Sequence, residues 1–111
     1  MSWIIGPSDA AAKPRPSDNL ATPIVDRYGV EVEYYAPRGV DPQTPHDCDE
    51  LYVVATGTAS FASPEGRQSV AAGDLIFVPA GEAHRFEDIG ETFAVWVFFF
   101  GPPSGGASGH G

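Results

Sequence analysis

Short runs of β-branched and aromatic residues, cut at close intervals by glycine and proline, constrain this chain more than any other feature. Such punctuation specifies an all-β fold. Val30, Val32 and Tyr34 alternate with Glu31, Glu33 and Tyr35, the period of a half-buried strand. Leu51-Tyr-Val-Val-Ala-Thr56 is a second strand, broken by Gly57. Ser63-Pro-Glu-Gly66 puts Pro and Gly where a type I turn wants them, so it should close a hairpin. Ala72-Gly-Asp74 is another turn and leads into Leu75–Val78; Pro79-Ala-Gly-Glu82 is a third. The stretch Thr92–Phe100 is apolar on both faces: one can fill a barrel and the other can pack on a second sheet or another subunit. No helix-period apolar face and no internal repeat is present.

The ends read differently. Residues 6–23 are rich in Pro, Ala, Ser and Asp and lack periodicity, so residues 1–23 are expected to form an extended arm. Residues 102–111 are rich in Gly and Ser and are expected to be a disordered tail. Residues 24–101 remain as one domain around one core. A net charge of -9 with six Lys and Arg in all denies the chain the basic footprint of a nucleic-acid binder. An anionic membrane surface would repel it, and no apolar stretch is long enough to span a bilayer. Cys48 is the one cysteine, which rules out an internal disulfide and a Cys-rich zinc module. The opening Met1–Gly6 lacks the basic and long apolar regions of a signal peptide, and a cytoplasmic location is the expectation. No phosphate-binding glycine loop and no nucleophile elbow occurs.

Two blocks carry chemistry. The first is Gly39-Val-Asp-Pro-Gln-Thr-Pro-His46-Asp-Cys-Asp-Glu50, continuing to Gly57. If the segment were a regular strand, Thr44, His46, Cys48 and Glu50 would share a face. A His-x-x-x-Glu pair also suits one face of a helix, but the β-branched continuation and nearby prolines argue for strand. The second block is Gly73-Asp-Leu-Ile-Phe-Val-Pro79-Ala-Gly81-Glu-Ala-His84. Together, in order and with the usual gap, they resemble the two motifs of the cupin superfamily over roughly residues 30–100.

That resemblance implies a double-stranded β-helix, the jelly-roll barrel, holding a divalent metal ion: Fe, Zn, Ni or Mn. By the same resemblance His46, Glu50 and His84 are the metal ligands, with His84 brought from a second strand. Two imidazoles and one carboxylate form a facial set with open positions, suited to Fe(II) or to catalytic zinc. The commonest cupin first motif has another histidine two residues before its fellow. Here Thr44 stands there, so water or substrate could take that position. The second motif often ends in Asn; here the residue is Asp88.

Other residues have two readings each. Cys48 is a small buried hydrophobe, a pocket-lining residue or a ligand. Tyr52 shares the parity of Glu50 and is either a packed aromatic or a proton donor inside the barrel. Tyr52 and Asp88 are the candidates for acid–base work. Arg38 and Arg85 either pair with surface acids or grip a substrate carboxylate. By resemblance, small single-domain cupins include dioxygenases, isomerases and lyases, and the competing class is a non-catalytic barrel that binds or senses a small molecule. A homodimer is expected, either across the apolar face of 92–100 or by exchange of the arm. The alternative is that residues 1–23 fold back over their own barrel.

Overall fold

The computed structural model describes residues 2–13, 21–42 and 45–101. In chain order these form α1 (Pro7–Ala12) and the strands β1 (Ala21–Arg27), β2 (Val30–Tyr35), β3 (Asp49–Thr56), β4 (Thr58–Ser63), β5 (Gly66–Ala71), β6 (Leu75–Val78), β7 (Arg85–Glu87) and β8 (Ala94–Phe100). Two antiparallel sheets face each other, one in the order β1-β2-β8-β3-β6 and the other β5-β4-β7. This is the all-β jelly-roll arrangement expected from the sequence. No helix among the described residues is long and apolar enough to cross a membrane.

Local signals placed the elements well. Pro64 and Glu65 join β4 to β5, as the turn chemistry requires. Gly57 carries the chain from one sheet to the other. Its φ is +75°, and a Cβ there would lie 2.6 Å from the Phe93 backbone, so only glycine fits.

Register gives the inner face of the larger sheet. Directly opposed residues of antiparallel strands share a face. Glu31, Phe99, Glu50 and Val78 therefore make one row across β2, β8, β3 and β6. Glu33, Val97, Tyr52 and Ile76 make the next. Val54, Val78, Val95, Val97 and Phe99 meet Ala59, Val70 and Phe86 of the smaller sheet, with Phe93, in the main core. Each such ring or branched side chain stabilises the fold by roughly 1.5–3 kcal/mol on burial.

The expected alternation in β2 is present, and the structure decides which face is inside. Glu31, Glu33 and Tyr35 point into the barrel, while Tyr34 faces outward. There Ala10 of α1 packs with Tyr34, Ala36 and Ala94, alongside Ile5 and Trp96. So part of the stretch expected to be an arm is ordered on the barrel's outer face. Helix α1 escapes sequence detection because six residues are too few for periodicity; it starts on Pro7, and the Gly6 amide donates to the Asp9 carboxylate at 2.9 Å. β1 also begins inside the expected arm, at Ala21. The expected tail lies outside the described residues.

Candidate metal centre

Besides the β3–β6 pairing, hydrogen bonds tie the first sequence block to the second and to a residue just past it. The Gly81 amide donates to the His46 carbonyl at 2.7 Å, the Ala80 amide to the Asp49 carboxylate at 2.9 Å, and the Phe86 amide to Asp41 at 2.7 Å. Gly81 sits at φ +80°, the turn conformation that aims its amide at the first block. Glu50 is placed by β3, whereas His46 precedes that strand, so the regular-strand reading does not hold over residues 45–48. His46 and Glu50 meet because the loop folds back, with the His46 ring edge-on to Phe99 at 4.8 Å between centroids. His84 arrives from the segment ahead of β7.

One ligand atom from each of His46, Glu50 and His84 lies within 4.8 Å of the others. His46 Nδ1 is 3.2 Å from Glu50 Oε2, and His84 Nε2 is 3.4 Å from the same oxygen. Tyr52 adds a fourth polar group. Its hydroxyl donates to Glu50 Oε1 at 2.9 Å and stands 2.9 Å from His84 Nε2. The side chains of Glu50 and His84 are at most 1% exposed, and Tyr52 is fully buried.

The proton count shows what this cluster accommodates. His84 Nδ1 is 2.9 Å from the Glu82 carbonyl oxygen, which can only accept, so the proton of neutral His84 sits on Nδ1. Its Nε2 lone pair then faces Tyr52 and Glu50. Tyr52 has one proton for two acceptors. Among the described residues His46 Nδ1 is buried with no aligned hydrogen bond, although Glu50 Oε2 is close to it. With both imidazoles neutral, lone pairs outnumber protons in this cluster, and a cation would satisfy them. Ligands about 2.1 Å from one ion stand about 3.0 Å apart at 90° and about 3.4 Å apart at the tetrahedral angle. The observed 3.2 and 3.4 Å separations fall in that range, so the residues fit a divalent metal. Without one, the Glu50 carboxylate beside His46 raises the imidazole's pKa from 6.5, against the opposing effect of burial.

The other sequence candidates divide. Tyr52 belongs to the cluster. Asp88 leaves it: the side chain is 71% exposed and pairs with Arg67 Nη2 at 2.5 Å. Cys48 is buried in the main core, and burial pushes its thiol up to about 11. The ligand set converges without it. Thr44 lies outside the described residues. Arg38 is spent on the carbonyls of Pro37 and Phe93. Arg85 lines a cleft of about 370 Å³ with Pro45, Ala62, Ala83, His84 and Glu87. A groove of about 450 Å³ between β5 and β6 contains none of the cluster residues. Of the two apolar faces that the sequence offers in residues 95–100, either able to wall the pocket, the one carrying Phe99 backs His46; the inward Glu33 carboxylate had no sequence signal. Burial, then neighbouring Glu31, raises the Glu33 pKa. Alternation alone cannot say which face of a strand is inside.

Residues 31–100 match the family model of the cupin domain. An uncharacterized protein of Streptomyces coelicolor is 42% identical over 64 residues, covering 58% of this chain and 61% of that protein. The match thus spans less than two thirds of that relative's length. Among solved structures, a cupin-2 domain containing protein from Shewanella frigidimarina superposes with a TM-score of 0.70 at 19% identity, over 86% of this chain and 92% of that one. The DMSP lyase DddQ from Ruegeria pomeroyi is 27% identical with a TM-score of 0.54, over 65% of this chain and 37% of that one.

Proposed function

The chain belongs to the cupin family, and on that premise we propose that it is a metal-dependent small-molecule enzyme of the isomerase or lyase type. In this reading His46, Glu50 and His84 hold one divalent ion. The observation that carries the proposal is the Tyr52 hydroxyl, 2.9 Å from both Glu50 and His84. A group that can give and take a proton beside the ion suits proton-transfer chemistry better than oxygen activation, which needs open coordination positions but no such partner. A bound ion would supply Lewis acidity, polarising a substrate carbonyl or carboxylate. The chain's own residues do the rest. Tyr52 holds the mobile proton, Glu50 accepts it or orients the hydroxyl, and Glu82 keeps His84 in one tautomer. The apolar wall of Val97 and Phe99 excludes water. The likeness to a DMSP lyase supports the lyase branch.

One observation favours a non-catalytic binding or sensing barrel. Glu50, Tyr52 and His84 are buried, which leaves a substrate little direct access to them. We further propose a homodimer. Helix α1 covers the Tyr34–Trp96 part of the outer sheet face, but Leu75 and Phe77 on edge strand β6 are 65% and 55% exposed. A second copy would cover them.

Metal analysis of protein purified without added metal tests the site. About one equivalent of Fe, Zn, Ni or Mn is expected, and Glu50→Gln should lose it. No metal above the buffer blank, or equal metal in the variant, overturns the proposal. Deuterium incorporation from heavy water into a panel of small carbonyl acids, absent in Tyr52→Phe, separates enzyme from binding barrel.

A further inference from the structure

We propose that Asp41 is a positioning residue that holds His84 opposite His46. Asp41 lies in the loop between β2 and β3, five residues ahead of His46, and is 2% exposed. One carboxylate oxygen accepts from the Tyr35 hydroxyl on β2; the other accepts from the Phe86 amide on β7 at 2.7 Å. These partners belong to different sheets, which among the described residues share no hydrogen-bonded strand pair there. β7 is a strand of three residues at a sheet edge, paired among the described residues with β4 alone. Its other edge carries the Phe86 amide, and a side chain takes the place of the missing strand.

The consequence reaches the metal cluster through the chain. Phe86 is two residues beyond His84, and the His84 ring is itself held by the Glu82 carbonyl. Fastening Phe86 to the His46 loop therefore sets the separation of the two imidazoles, 6.4 Å between ring centroids. Without Asp41, the amide of Phe86 and the hydroxyl of Tyr35 both face a dry seam with their acceptor gone. The short strand then has little to keep it against the loop.

The inference rests on the metal reading only for its affinity arm, so two readouts separate their failures. The first needs no metal. In the ¹⁵N-labelled, metal-free full chain, imidazole correlation spectra should show His84 as a single Nδ1–H tautomer, assigned by His84→Gln. Asp41→Ala should shift it to a mixture, and Asp41→Asn, which keeps an acceptor for Phe86, should restore the wild-type form. Wild-type ring shifts in folded Asp41→Ala would overturn the proposal. If that variant does not fold, amide exchange of the wild-type chain decides. The Phe86 amide should then be as protected as the amides paired between β3 and β8, and exchange at the rate of an open edge overturns the idea. The second readout is Co(II) titration. Asp41→Ala should bind roughly tenfold or more weakly, with an altered visible band. A lower melting temperature with unchanged band and affinity would make Asp41 structural only, against the proposal. A wild-type chain that binds no Co(II) sinks the metal reading and leaves the imidazole spectra to judge Asp41.

Discussion

Tyr52→Phe removes one oxygen from the centre of the cluster, and its effect should depend on whether a cation is present. In the metal-free protein the hydroxyl supplies the proton that Glu50 Oε1 accepts, and it stands 2.9 Å from His84 Nε2. Both acceptors are sealed from water. A buried polar group left without its partner costs about 1–3 kcal/mol. The ring itself stays, so its edge-on packing against Phe86, 5.1 Å between centroids, is kept and no cavity of consequence opens. Taking about 2 kcal/mol as the loss, the metal-free variant should melt roughly 8–16 °C below wild type. A divalent ion would satisfy the same lone pairs. With excess Zn(II) the gap should therefore close to a few degrees, because the ion stabilises the variant more than the parent. Scanning calorimetry of both proteins, with chelator and then with Zn(II), reads both differences. Metal-free melting temperatures within about 2 °C of each other would mean that Tyr52 is only a packed aromatic. A gap that zinc leaves unchanged would mean that the ion does not sit at this cluster.

Gly57→Ala should be severely destabilising: the left-handed backbone alone costs about 1–2 kcal/mol, and the clash with the Phe93 backbone adds to it, so little soluble folded protein is expected on expression. His46 has its pKa raised from 6.5 by Glu50, so its contribution to metal-free stability is full below about pH 6.5 and is lost as pH rises through the folded value. Urea melts across that range should show the loss, while Zn(II) affinity should rise over the same interval as the proton leaves. Leu75→Lys with Phe77→Lys should turn a dimer of roughly twice 11.7 kDa into a monomer by light scattering, and a wild-type chain already at that monomer mass would refute the dimer. Cys48, buried and with its thiol pushed up to about 11, should resist a thiol reagent at pH 8 until denaturant is added.

What the sequence discloses about this fold is what neighbouring residues decide among themselves. The β2 alternation, the β3 run and the turn at Pro64-Glu65 are local, and each appears where its residues place it. The cluster of His46, Glu50 and His84 was legible for a different reason: the glycines and prolines around the ligands repeat a family pattern. The structure gives that pattern a physical basis, since Gly81 is the residue whose amide holds the His46 carbonyl. Three features were out of reach. Alternation has a period but no inside, so Glu31 and Glu33 could not be turned inward on sequence grounds. A six-residue helix is shorter than the window in which its period could show. Asp41 joins partners that stand 6 and 45 residues away, and nothing about an Asp-Pro in a loop says that its carboxylate will close a seam between two sheets. The three clustered side chains are therefore the readable part of the site, and the residues packed around them are readable only once the chain is folded. Counting histidines and carboxylates near the two motifs finds the cluster and passes over Asp41, whose bonds tie its loop to β7.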